Sequence, residues 1–234
     1  MTRHQCLHGP GLLPLLAKVA TLEGQRIARV RRRRRNPAPP VPNDLWAPPD
    51  SALCRAAAKT CALHSSEALL GHCARTYAFG MALAAATDRK PDRELLYVAS
   101  LLHDLGLTPA FDGDDPFELR GAEAAYAWCI DHDVEVRHAE LVHEAIRIHT
   151  SLEAESREPE IALVHLGAGV DVIGYHLEDV DGSTVSAILE AWPRDGFKDE
   201  ILGLLGREAK KTPSSPLGVQ WRLGFAKRVR ATPF

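Results

Sequence analysis

Apolar residues recur at helical spacing through most of the chain after residue 50, and short stretches rich in Gly, Pro or Asp separate the periodic segments. No segment alternates apolar and polar residues in the way that a half-buried strand does. The spacing predicts helices over residues 51–63, 66–87, 92–104, 117–131, 134–150, 158–176, 183–192 and 197–210. We therefore predict an all-α fold.

The two ends of the chain differ from this helical region. Residues 1–49 lack sustained periodicity, carry the basic run Arg31–Arg35 and then become rich in proline. A run of this kind is typically a solvated tail, with contact to RNA or to an acidic partner as the alternative. We therefore predict a disordered extension at 1–49, the functional domain at 50–210, and a C-terminal tail at 211–234 that packs on the domain or trails from it.

Composition narrows the class of protein. The 234 residues are 45% hydrophobic and 25% charged, with a net charge of -3, which is ordinary for a globular protein and gives no sign of a nucleic-acid or membrane-surface binder. No segment approaches the ~20 apolar residues of a membrane helix. Five scattered cysteines without a CxxC pair suit reduced thiols, so we expect a cytoplasmic protein. The expected partner is a small-molecule substrate. The sequence does not indicate the oligomeric state.

Candidate chemistry begins at His103 and Asp104, which stand side by side at the end of an apolar helix, just before Gly106. Burying two ionisable groups there without a partner would cost several kcal/mol, and a bound cation would remove that cost. The alternative is an ordinary helix end, in which His103 complements the helix dipole and Asp104 caps the loop. The dipeptide alone does not decide between them.

Two further polar residues are predicted to point inward. His72 shares a helix face with apolar residues such as Leu69, and Asp171 lies on a small, apolar helix face. Together with His103 and Asp104 they supply two imidazoles and two carboxylates from three helices, the mixed donor set that Zn, Fe or Mn prefers. The sequence therefore predicts one divalent metal held by these four residues.

Several stretches carry a resemblance to a known family: His72–Tyr77, Leu101–Leu107, Phe117–Ala122, Ala145–Thr150 and Gly167–Gly174. In its order of His, His-Asp and Asp, the chain resembles the HD superfamily of metal-dependent hydrolases, in the branch that includes cyanamide hydratase-like proteins. The resemblance implies a compact helical bundle with a central metal site and the same four ligands. Some HD nucleotide phosphatases carry a glutamate shortly after the His-Asp pair, but residues 105–108 supply none, so we do not expect that activity.

Helical spacing distinguishes the other histidines by the helix face on which each should lie. His149 shares a stripe with Val142 and Ile146 and should face the core, as a substrate contact or auxiliary ligand, whereas His143 should lie on the surface. For His165, six residues before Asp171, a structural or supporting role is expected rather than ligation. We predict His149, with Asp104, as a catalytic residue.

Four more residues are predicted to contact substrate. Phe117, Glu118 and Arg120 close the long loop after the His-Asp pair, and Arg75 lies one turn beyond His72. Glu118 would also suit an ordinary first helical turn. Arg75 could instead hold a ligand carboxylate or lie on the surface.

These residues suggest a mechanism and two alternatives. A divalent metal would lower the pKa of a bound water, which would attack an electrophilic carbon or phosphorus, with Asp104 both binding the metal and accepting the proton. A phosphoester is the first expected substrate. The alternatives are cyanamide hydratase-like hydration of a nitrile-type substrate and, from another class, a non-catalytic HD module that binds a ligand and regulates a partner.

Overall fold

The computed structural model describes residues 21, 24, 28–33, 35–87 and 89–234, and every regular element in these ranges is helical, as predicted. Residues 28–33 and 35 are helical. After residue 40 the α-helices are α1 (Asn43–Trp46), α2 (Ala52–His64), α3 (Glu67–Thr87), α4 (Arg93–Leu102), α5 (Phe117–Asp131), α6 (Val136–Arg147), α7 (Pro159–Ile173), α8 (Gly182–Ala191), α9 (Phe197–Lys211), α10 (Pro216–Arg222) and α11 (Phe225–Ala231). Short 3₁₀ turns lie at Leu105–Leu107, Pro109–Phe111, Ala154–Ser156 and Leu177–Asp179.

All eight predicted helices are present and differ from the prediction at their ends, while α1, α10 and α11 are additional helices in the regions predicted as extension and tail. The helix predicted over 92–104 stops at Leu102, so that the His-Asp pair falls in the following turn. The helix predicted over 158–176 stops at Ile173 because Gly174 takes the left-handed conformation (φ 66°), which glycine adopts without steric cost. Periodicity locates the apolar face of a helix but not the turn that ends it.

Side-chain caps fix several helix starts. Ser51 accepts a hydrogen bond from the Cys54 N–H at the start of α2, and Asp92 accepts from two N–H groups at the start of α4. Asp181 caps α8 in the same way. Each cap satisfies backbone donors that the helix leaves unpaired and contributes roughly 0.5–2 kcal/mol.

Helices α3 and α7 cross closely at the centre of the bundle. A Cβ atom on Gly167 would lie only 2.0 Å from the carbonyl oxygen of Thr76, and one on Gly80 would lie 3.0 Å from the carbonyl oxygen of Leu163. Only glycines permit this backbone approach. The crossing brings His72 on α3 next to Asp171 on α7.

The described part of the predicted N-terminal extension contacts the domain. Val41 and Trp46 are buried in the main core, and the Val41 N–H donates to Thr184 Oγ1 at 2.9 Å. The packed region of the structure therefore begins before residue 50. Residues 1–20, which carry much of the predicted extension and Cys6, lie outside the described residues.

The predicted C-terminal tail packs on the domain. Leu217 and Val229 are buried, and Thr232 Oγ1 donates to the carbonyl oxygen of Val172 at 3.0 Å, directly beside Asp171.

The remaining cysteines of the chain, Cys54, Cys61, Cys73 and Cys129, are free and buried. In the described ranges, no helix combines the length and apolar character needed to cross a membrane.

Candidate metal centre

Two helices deliver the central residues of the site. His72 lies on α3, while His103 and Asp104 follow α4 and lead into the 3₁₀ turn. That turn passes close to α5, since a Cβ on Gly106 would lie 2.0 Å from the carbonyl oxygen of Phe117. The structure buries all three, with exposed fractions of 1%, 0% and 4% for His72, His103 and Asp104.

Three ligand atoms of these residues form a nearly equilateral triangle. His72 Nε2 lies 3.2 Å from His103 Nε2, and Asp104 Oδ2 lies 3.4 Å from each of those nitrogens. Atoms arranged tetrahedrally at about 2.1 Å from a zinc-sized ion are separated by ~3.4 Å. The spacing therefore fits a single metal ion held by these three residues.

The hydrogen bonds of the two imidazoles fix which ring nitrogen carries the proton in each neutral ring. His103 Nδ1 lies 2.7 Å from the Ser100 carbonyl oxygen and His72 Nδ1 lies 2.7 Å from Asp171 Oδ2; both oxygens only accept, so both Nδ1 atoms carry the proton. In the neutral rings, the two Nε2 lone pairs then face each other and the Asp104 carboxylate. Such buried repulsion is relieved by a cation at the centre of the triangle.

Burial sets the charge of the site. It lowers the pKa of His103 to about 3, with the neighbouring His72 contributing, so His103 is neutral at neutral pH. Burial also raises the pKa of Asp104 from its ordinary value. A neutral imidazole is the form that binds a metal, whereas an isolated buried carboxylate calls for a positive partner.

His149 lies against the other oxygen of Asp104. Its Nδ1–H donates to the Ile146 carbonyl oxygen at 2.7 Å, which leaves the Nε2 lone pair 3.8 Å from Asp104 Oδ1. Burial, together with the nearby His103, lowers the pKa of His149 to about 3. His165 stands behind it and donates from Nδ1 to the His149 carbonyl oxygen at 2.7 Å. His149 is buried as periodicity predicted, but it lies in the turn after α6, because that helix ends at Arg147 and not at residue 150.

Asp171 lies at the Nδ1 edge of the His72 ring, opposite the triangle. Its Oδ2 accepts from His72 Nδ1, and its Oδ1 accepts from Arg75 Nε at 2.8 Å and from Arg194 Nη1. Burial alone would raise the pKa of Asp171, but the hydrogen bond from His72 and the charges of the two arginines outweigh it and hold the pKa well below its usual range. The residues that the structure assembles around one point are His72, His103 and Asp104. Ligation by Asp171 stays a prediction.

The family model of the HD domain matches residues 69–196, more than half of the chain and all of the residues above. This chain belongs to the HD domain family. HD domains are commonly metal-dependent hydrolases, so membership indicates hydrolase-type activity that depends on a divalent metal. A comparison with curated proteins finds no match, and the family therefore gives the class of activity without a substrate.

The two arginines predicted to contact substrate both bind other groups of the protein. Arg75 is fully buried, and besides Asp171 it binds the carbonyl oxygens of Trp192 and Pro193, at 3.2 and 2.8 Å. Arg120 donates to carbonyl oxygens of the 105–116 loop and forms an ion pair with Glu208 at 3.1 Å. Arg75 thus holds the Asp171 carboxylate, which was its predicted alternative role, and Arg120 braces the loop. Their contact with substrate stays a prediction.

Phe117 and Glu118, at the start of α5, contact His149 and Thr150 beside the HD site. The Phe117 ring meets the His149 ring edge to face, with centroids 5.5 Å apart. Glu118 is buried; its Oε1 accepts from Thr150 Oγ1 at 2.7 Å, whereas its Oε2 has no hydrogen-bond partner among the described residues. Burial raises the pKa of Glu118 to about 7. A carboxyl with that pKa and a free oxygen is suited to proton exchange.

The sequence did not predict three residues that support the site. Arg194 lies in the segment between α8 and α9, where no periodicity exists to orient it. Phe197 stacks on the His72 ring, with centroids 4.8 Å apart, but in sequence it reads as an ordinary apolar start of a helix. Thr150 binds Glu118 across the fold. Only the spatial arrangement reveals these contacts.

Proposed function

We propose that this HD domain is a metal-dependent hydrolase acting on a small molecule, with a phosphoester as the first expected substrate class. The observation that supports this most directly is the buried triangle of His72 Nε2, His103 Nε2 and Asp104 Oδ2, in which three potential ligand atoms converge at 3.2–3.4 Å. A divalent cation held there would act as a Lewis acid and lower the pKa of a coordinated water.

The side chains around the triangle supply the rest of the chemistry. His149 presents a free lone pair at Nε2, so it can accept a hydrogen bond from water or from a substrate hydroxyl beside Asp104. Glu118, with a pKa of about 7, can give or take a proton near neutral pH. Phe117 gives this side of the site an apolar surface that limits access of water.

A nitrile-type substrate, hydrated in the manner of cyanamide hydratase-like proteins, is the second candidate. It is favoured by the engagement of Arg75 and Arg120 with the protein, since a phosphate monoester usually requires positive side chains to bind its charge. A small neutral substrate requires only a compact, mostly apolar pocket.

A substrate panel separates these candidates. The purified protein, loaded in turn with Zn, Mn and Fe(II), would be assayed against a phosphomonoester, a phosphodiester, a nucleotide and cyanamide, with Asp104→Ala as the inactive control. We expect metal-dependent turnover of a phosphoester that the control lacks. Turnover of cyanamide alone would establish the second candidate, and binding of these compounds without turnover under any metal would contradict both and favour a regulatory module.

The Glu118→Gln substitution should change how stability depends on pH. Because the folded-state pKa of Glu118 is raised from 4.5 to about 7, the folded protein holds this proton more tightly than the unfolded chain, and stability falls as pH rises between those values. A shift of that size corresponds to on the order of 3 kcal/mol. Urea unfolding at pH 5 and pH 8 should show a smaller decline in the variant than in the wild type.

The matched control for this measurement is Glu140→Gln, which changes an exposed glutamate on α6. It should reproduce the wild-type decline in the free energy of unfolding. An equal decline in Glu118→Gln and wild type would show that Glu118 titrates normally and would remove it as a proton-exchanging group.

A further inference from the structure

The Asp171 carboxylate accepts three hydrogen bonds from side chains. It has no exposed surface; Oδ2 accepts from His72 Nδ1 at 2.7 Å, and Oδ1 accepts from Arg75 Nε at 2.8 Å and from Arg194 Nη1. Arg194 Nη1 also donates to the Asp171 backbone carbonyl oxygen at 2.7 Å. A carboxylate held by two guanidinium groups and an imidazole is fixed in place by charge-assisted hydrogen bonds, and three of its roughly four lone-pair sites are occupied.

The position of the carboxylate also matters. It lies at Nδ1 of His72, whereas the ligand triangle is formed by Nε2 at the opposite edge of the same ring. A carboxylate that accepts the Nδ1–H of a metal-binding histidine fixes the tautomer and orientation of the ring and makes Nε2 a stronger ligand. Asp171 stands in that relation to His72.

We propose that Asp171 is a positioning residue that acts through His72 and is not the fourth protein ligand. The inference rests on the proposed metal-dependent function and departs from the ligand role that the sequence resemblance implied. Its structural basis is the chain of contacts from Arg75 and Arg194 through the Asp171 carboxylate to His72 Nδ1, with His72 Nε2 left free in the triangle.

The aromatic ring of Phe197 completes this support. It stacks on His72 at 4.8 Å between ring centroids, and the guanidinium carbons of Arg75 and Arg194 lie 5.0 and 4.7 Å from its centroid. The imidazole is therefore fixed by stacking as well as by its hydrogen bond. With Asp171 behind the ring, His72, His103 and Asp104 would be the three protein ligands of a bound metal, which would leave positions open as in catalytic rather than closed structural sites.

The first test reads the His72 tautomer directly in the unmodified protein. Long-range ¹H–¹⁵N spectra, assigned with a His72→Gln variant, should show Nδ1 protonated and Nε2 unprotonated before zinc is added, and the same proton on Nδ1 afterwards with Nε2 shifted by the metal. A proton on Nε2 in the metal-free protein, or loss of the Nδ1 proton on zinc binding, would overturn the inference.

The second test compares zinc affinities by chelator competition. Asp171→Asn turns an amide N–H or a weaker acceptor toward Nδ1, so we expect one zinc per chain bound about 10–100-fold more weakly, the cost of losing a supporting partner. Asp104→Ala, which removes a member of the triangle, should lose zinc altogether. Equal loss in both variants, with circular dichroism showing each folded, would identify Asp171 as a ligand. Absence of zinc from the wild type would instead contradict the proposed function, and the tautomer measurement would still decide the role of Asp171.

Discussion

Replacing Asp104 with alanine should abolish tight metal binding by this protein, weakening affinity by more than the ~100-fold that loss of a supporting residue can cost. Asp104 contributes the only carboxylate of the triangle, lies 3.4 Å from both imidazole Nε2 atoms, and balances the charge of a divalent ion in a buried site. His103→Ala should have a similar effect. Elemental analysis and chelator competition on the purified variants measure the change.

The matched control is His143→Ala. His143 is partly exposed, and its Nε2 lies 3.5 Å from the surface carboxylate of Glu123, so its removal leaves the triangle intact. This variant should keep wild-type metal content. Full occupancy in both Asp104→Ala and His103→Ala would show that these residues do not hold the metal.

Gly167→Ala should be among the most destabilising single substitutions in the protein. The added Cβ would lie 2.0 Å from the Thr76 carbonyl oxygen, so α3 and α7 must move apart or bend. Overpacking of this kind costs about 3 kcal/mol, which lowers the melting temperature of a chain of this size by roughly 6–12 °C. Thermal unfolding followed by circular dichroism measures the loss.

A glycine of the same type but in open surroundings serves as the comparison. Gly203 lies exposed in the middle of α9, and the nearest atom to an added Cβ is the end of the flexible Arg207 side chain at 3.8 Å. Gly203→Ala should leave the melting temperature unchanged or raise it, because alanine favours helix. A similar melting temperature for the two variants would mean that the α3–α7 crossing does not limit stability.

Much of the helical arrangement could be predicted because burial imposes a 3.6-residue period on each helix. The same reasoning indicated that His72, His103 and Asp104 point inward, and the structure brings these three side chains together. A period reports which face of a helix is buried, however, and not what lies opposite. For that reason helical periodicity could not predict that Asp171 meets the Nδ1 edge of His72.

The arginines illustrate the same limit. Sequence position placed Arg75 and Arg120 near the site and suggested contact with substrate, but the acceptors that engage them are backbone carbonyl oxygens and carboxylates distant in sequence. Backbone acceptors leave no residue-specific pattern. Arg29 and Arg33 likewise pair with Glu178 and Asp179 at 3.0 and 2.8 Å, so an acidic partner of the N-terminal arginines lies within the chain itself.

The central claim is that one divalent metal lies between His72, His103 and Asp104. Crystals of the protein loaded with zinc, measured on both sides of the zinc absorption edge, would locate the ion by its anomalous scattering. We predict a single peak at about 2.0–2.2 Å from His72 Nε2, His103 Nε2 and Asp104 Oδ2. A peak elsewhere, or no peak at saturating zinc, would contradict the account.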